Sequence, residues 1–180
     1  MRNYVDRAMD FIEQIYPFIK DDLLNPYTLH KGIDAFNERY SRKVKYFHGC
    51  ARIALLTSDY VIKYDYDEEE VACLGGCKDE VRLYEWASEQ GFGYLFAEIT
   101  PTEYDGHIFY IMPRIRGIGT GRYRAWHYLT PAETEFCTSN SITDLHINNY
   151  GFRKGKVCIV DYACQSGCGY RESSDESGWS

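Results

Sequence analysis

The chain has 180 residues, 20 of them basic and 27 acidic, which leaves a formal net charge of −7. At that length one domain is expected, and with 44% hydrophobic and 26% charged residues neither wholesale disorder nor a fibrous repeat fits. The acidic balance disfavours nucleic acid as a partner, no apolar run approaches the ~20 residues of a membrane helix, and the charged N-terminus lacks an export signal, so a cytoplasmic protein without a membrane partner is expected.

Val5, Ala8, Ile12, Ile15 and Ile19 recur at the three- and four-residue steps of a helix with one buried face, which predicts a helix over about 4–20. Asn25-Pro26 offers a capping side chain and a helix-starting proline, and Leu29, Ile33, Phe36 and Tyr40 carry a second helix to about 40. The period then changes to short β-branched and aromatic segments at about 43–48, 52–57 and 60–66, read as three antiparallel strands. After the acidic turn Asp67-Glu68-Glu69-Glu70 and the breaker Gly75-Gly76, residues 77–90 read as a helix stopped by Gly91. Two more strands, 94–100 and 107–112, are joined through Asp105-Gly106. Residues 114–124, with alternating glycines and four arginines, read as a flexible connector whose arginines are either solvated or an anion-binding surface. Thr130-Pro131 opens a short helix to about 139, residues 152 and 156–160 form a hairpin across Lys154-Gly155, and the stretch from Gln165 onward is expected to be loosely ordered. The seven cysteines cannot all pair within one chain. Reduced thiols are the expectation, with zinc at Cys73/Cys77 and Cys164/Cys168 as the alternative.

Four features carry chemistry. Lys63 lies inside the apolar strand Val61-Ile62-Lys63-Tyr64, where a buried ammonium demands an anion, unless the strand is an edge and the lysine faces water. On helix 77–90, Glu80 shares a face with Leu83, Tyr84 and Ala87, whereas Glu85 sits beside Arg82 and Glu89; Glu80 is therefore the inward carboxylate, and it also complements the helix dipole. The loop Thr143-Asp144-Leu145-His146-Ile147-Asn148-Asn149 places polar groups between apolar anchors at Leu145 and Ile147, as a rigid catalytic loop requires. Asp161 ends the apolar strand Val157-Cys158-Ile159-Val160, reading as a metal ligand or a turn cap.

In this order, a strand lysine, a helix glutamate, a D-x-x-x-x-N loop and a strand-end aspartate, the chain resembles the protein-kinase signature of VAIK, helix Glu, HRDxxxxN and DFG. The Asp-Leu-His form resembles aminoglycoside-phosphotransferase-like and small phage or prophage kinase-like proteins more than eukaryotic protein kinases. The resemblance spans about residues 43–163. It implies an α+β, kinase-like fold: an N-terminal helical extension (1–42), a five-stranded antiparallel N-lobe with one helix (43–112), a reduced C-lobe (113–164) and a tail (165–180). The N-terminal helices are expected to pack in place of the missing C-lobe platform.

The resemblance also implies the ligands, ATP and Mg²⁺. Lys63, held by Glu80, would grip the α and β phosphates, with Gly49 in the phosphate loop and Met112 and Ile115 at the hinge; Asn149 and Asp161 would hold the metal, and Asp144 would orient or deprotonate an acceptor hydroxyl. His146 would be structural or touch the γ-phosphate. The chain departs from the family pattern in its single loop glycine, in Ile142-Thr143 before Asp144, in Asp-Tyr-Ala for DFG, and in the short stretch after Asp161. Three functions stay open: phosphoryl transfer to a host protein or to the chain itself, a catalytically inactive kinase-like binding module, and nucleotidyl transfer to protein.

Overall fold

The computed structural model describes residues 3–25, 27–49, 52–66, 75–120 and 122–162. Pro26, the acidic turn 67–70, Cys50, Cys73, Cys164, Cys168 and the stretch from Gln165 lie outside the described residues. Among the described residues no helix is long and apolar enough to cross a membrane.

Helix α1 (Tyr4–Ile19) buries Ala8, Phe11, Ile12, Ile15, Tyr16 and Ile19, the stripe that the period predicts. Helix α2 (Leu29–Tyr40) starts later than the proline signal places it. The Asn25 side chain accepts from the Tyr27 N–H at 3.1 Å and closes a turn of its own, which postpones the helix to Leu29. Gly32 lets the two helices touch, since a Cβ there would lie 2.1 Å from the Phe18 carbonyl oxygen. Asn37 then ties the helix to the sheet, its amide pairing with the Val44 carbonyl at 3.0 Å and N–H at 2.8 Å.

Strands β1 (Lys45–His48), β2 (Arg52–Leu56), β3 (Tyr60–Asp65), β4 (Thr100–Tyr104) and β5 (His107–Pro113) form one antiparallel sheet in the order β1-β2-β3-β5-β4. Helix α3 (Cys77–Glu89) links β3 to β4, and a shorter helix α4 (Pro131–Ser139) is closed by a box in which Thr130 and Glu133 cap each other. Strands β6 (Tyr150–Arg153) and β7 (Lys156–Ile159) form a hairpin whose turn, Lys154-Gly155, has both φ angles positive, as a two-residue hairpin turn needs. The fold is thus α+β, with four α-helices and a five-stranded antiparallel sheet among the described residues.

Three expectations need correction. The strand expected at 94–100 is not there: Gly93–Leu95 turns as a 3₁₀ helix, Phe96 bridges in parallel to Ile159, and β4 begins at Thr100. The apolar run is buried against β7 rather than paired in the sheet, and the real strand carries Pro101, which the sheet tolerates because β4 is an edge. Secondly, α1 and α2 do not stand in for a helical platform beside the hairpin. They share one apolar core with Tyr60, Ile62 and Tyr64 of β3 and Phe109 and Ile111 of β5, on the sheet face opposite α3. Thirdly, 114–124 is not a free connector. Positive φ at Gly117 and Gly119 turns the backbone back, so that the Gly119 N–H reaches the Ile147 carbonyl at 2.8 Å and the Ala125 N–H the Leu145 carbonyl at 2.9 Å.

Candidate functional site

The two-residue alternation of β3 sends Val61, Lys63 and Asp65 to the face away from α1 and α2. There Asp65 accepts from the Cys77 N–H at 3.0 Å and Asp79 from the Gly76 N–H at 2.9 Å, so carboxylates fix the first turn of α3 against the sheet. Glu80, in that same turn, is fully buried and meets the Lys63 ammonium at 2.9 and 3.0 Å, while Glu85 is exposed. Lys63 also donates to the Val160 carbonyl at 2.8 Å. Burial opposes the ammonium, but Glu80 and Asp161 outweigh it and hold the lysine above its ordinary pKa. It stays charged.

Arg52, on β2, completes the cluster. Its guanidinium reaches Glu80 Oε1 and Asp161 Oδ1, each at 3.1 Å. Burial would raise the Asp161 carboxyl, yet Lys63 and Arg52 hold it down at about 2. Tyr162 fixes the backbone there: its N–H points at Glu80 Oε1 (3.4 Å) and its hydroxyl donates to the Ala97 carbonyl at 2.7 Å.

The loop 143–149 is joined to this cluster through the backbone, the Val160 N–H donating to the Asn149 carbonyl at 2.9 Å. Leu145 anchors the loop in the core, whereas Ile147 is exposed and contributes its carbonyl instead of its side chain. The Asn149 amide donates to both the carbonyl and the Oδ2 of Asp144, each at 3.0 Å. The other carboxylate oxygen of Asp144 faces His146 Nε2 at 3.6 Å. Because the Asn148 N–H donates to His146 Nδ1 at 3.2 Å, the neutral ring carries its proton on Nε2, toward that oxygen. Asp144 itself is exposed.

The remaining expected residues fall around this centre. Met112 is buried, opposite Val61 in the register, and Ile115 is buried against β6. A Cβ on Gly151 would lie 2.8 Å from Ile115 Cγ2 and 2.4 Å from the Arg116 carbonyl oxygen, so that glycine sets how closely the Ile115-Arg116 segment docks on the hairpin. Gly49 lies in the β1–β2 turn, where its N–H is bonded to the Arg52 carbonyl at 2.8 Å and its carbonyl accepts from Tyr66 at 2.8 Å. It therefore shapes the turn and offers no free amide. On the same sheet face as Lys63, Phe47, Ala54 and Leu56 of β1 and β2 keep partial exposure and form an open, mostly apolar strip.

Asn149 Oδ1 and Asp161 Oδ2 are the hard oxygens available to a divalent cation. Asp161 Oδ1 is taken by Arg52, however, so a cation at this donor set would lie beside the guanidinium and draw on one oxygen from each of the two side chains. Among the described residues no group of three or more His, Cys, Asp or Glu side chains is gathered at metal-binding distance, and Cys77, one of the cysteines of the zinc alternative, is a buried free thiol.

Sequence reasoning missed Arg52 and gave Tyr162 no role beyond its place after Asp161. Arg52 was detectable in principle, since it lies two residues from Ala54, and β2–β3 pairing puts Ala54 opposite Lys63 on one face. No family model matches the chain and no curated protein matches it in sequence.

Proposed function

We propose that the chain is a kinase-like nucleotide-binding protein that transfers the γ-phosphoryl of ATP to a hydroxyl on a host protein or on itself. The observation that supports this reading best is the Lys63–Glu80 pair at 2.9 Å, connected through Val160 to the Asp144–Asn149 loop. A buried lysine fixed by a carboxylate is a preorganised phosphate ligand, because its position is set before the anion arrives. The open strip of Phe47, Ala54 and Leu56 beside it has the apolar, flat character that a purine base needs.

In the transfer, the acceptor oxygen bonds to the γ-phosphorus, the bond from γ-phosphorus to the β–γ bridging oxygen breaks, and ADP leaves. The Asp144 carboxylate, held by Asn149, takes the acceptor proton through the oxygen that faces His146. A second reading, binding without transfer, is favoured by the hold of Arg52 on Asp161, which places a guanidinium beside the oxygens a cation would use.

Thermal melting with ATP, followed by mass analysis of modified protein, tests the proposal. At a hundredfold excess over Kd, ATP should stabilise the protein by roughly 2.7 kcal/mol. Asp144→Asn should keep that shift and lower transfer by ~10²–10⁴-fold. No shift at millimolar ATP, with and without Mg²⁺, rejects the nucleotide site. A shift without transfer in the wild type selects the binding module.

A further inference from the structure

We infer that Arg52 occupies at Asp161 the place of a divalent cation, so that the site holds nucleotide phosphates through Lys63 and Arg52 and does not require metal. The inference rests on the nucleotide reading above and concerns how that ligand is held.

Arg52 is carried by β2 directly opposite Asp65 on β3 in the strand register. Asp65 is committed to the N–H of Cys77 at the start of α3. The guanidinium therefore reaches past it and bridges two other carboxylates, Glu80 and Asp161, at 3.1 Å each, with its own side chain only 20% exposed. A planar fork of five N–H donors can do this and still turn donors toward a third anion, with more donors in a fixed geometry than the three of a lysine ammonium.

The charge count gives the arrangement its meaning. Lys63 and Arg52 balance Glu80 and Asp161. Without Arg52 the cluster would carry a net negative charge, and a polyphosphate entering beside Lys63 would meet repulsion that a metal ion usually screens. Arg52 supplies that positive charge from within the chain. A metal ion at Asp161 would either displace Arg52 from Oδ1 or lie beside its guanidinium on the other oxygen, placing two cations together in a partly buried setting, so the two compete for one carboxylate.

Calorimetric titration of ATP into the wild type, Arg52→Gln and Arg52→Lys, each in EDTA and in excess Mg²⁺, tests this. The wild-type Kd should differ by less than about threefold between the two buffers, while Arg52→Gln should weaken binding in EDTA by about tenfold or more and regain it with Mg²⁺, on the scale of one lost charge-assisted hydrogen bond. Arg52→Lys, keeping the charge but not the fork, should fall between. Wild-type binding that needs Mg²⁺ overturns the inference, as does Arg52→Gln binding in EDTA like the wild type. An equal loss in both buffers marks a general charge effect and overturns it too. Should Arg52→Gln fail to fold, the wild-type pair of titrations still decides. Absence of ATP binding in every arm removes the nucleotide reading itself, an outcome distinct from Mg²⁺-dependent binding, which removes only this inference.

Discussion

Along β3, Tyr60, Ile62 and Tyr64 face α1 and α2, while Val61, Lys63 and Asp65 face α3 and the hairpin. The first face is closed by aromatic packing. Phe11 and Phe36 meet edge to face at 5.5 Å, Phe18 and Phe36 at 5.6 Å, and Tyr16 and Phe109 at 6.4 Å. The second face holds the buried Lys63 and Glu80, with Arg52 and Asp161 joined to the pair. The same strands therefore present a rigid apolar layer on one side and, two-residue step by two-residue step, a set of ionised groups on the other. A chain that buries charge on one face needs an apolar layer elsewhere to offset the desolvation, and here the layer lies directly behind the site.

The comparison is broken most strongly by emptying the apolar face. Phe36 is fully buried and touches rings from α1 and α2. Phe36→Ala should cost about 3–5 kcal/mol in denaturant unfolding. ATP binding by the protein that remains folded should keep its Kd, because no site residue lies on that face. A Kd change beyond about threefold would mean that the two faces are not separable.

On the charged face the corresponding change is Glu80→Ala. It leaves Lys63 and Arg52 without their shared buried partner and should cost about 3 kcal/mol, together with ATP binding. Glu85→Ala, on the exposed side of the same helix, should stay within about 0.5 kcal/mol of wild type. Equal costs for the two would remove the distinction between a site carboxylate and a surface one.

Much of this division is visible in the sequence where one rule acts alone. The three-and-four step of Val5 to Ile19 fixes the buried stripe of α1, and helical phase separates Glu80 from Glu85. The pairing of Thr130 with Glu133 is local and needs no tertiary knowledge. What stayed hidden depends on distant partners. Phe96 is apolar and strand-like by composition, but its bridge is to Ile159, more than sixty residues away. Arg52 reads as an ordinary strand-end charge until α3 and Asp161 are folded against it. The glycines at 117 and 119 signal a turn, but nothing local says that the turn docks on Ile147.

The smallest expected effect is also the one that most directly reports the charged face. Asp161 has a folded-state pKa of about 2, below the ~3.9 of an unpaired aspartate, because Lys63 and Arg52 favour its ionised form against the effect of burial. A carboxyl whose pKa is depressed on folding contributes stability that is fully present above the unfolded value and is lost as pH falls through the folded one. The Asp161 contribution should therefore decline between about pH 4 and pH 2. Its side chain is 39% exposed, so water screens part of the interaction and the decline is modest. Asp161→Asn cannot titrate, and the stability difference between wild type and this variant, from urea unfolding at several pH values, should shrink as the pH is lowered across that window. The difference for Phe36→Ala, whose surroundings on α1 and α2 are apolar, should stay level over the same range. A pH-independent difference for Asp161→Asn would mean that Arg52 and Asp161 do not pair in solution, and the charge balance of the site would then rest on Lys63 and Glu80 alone.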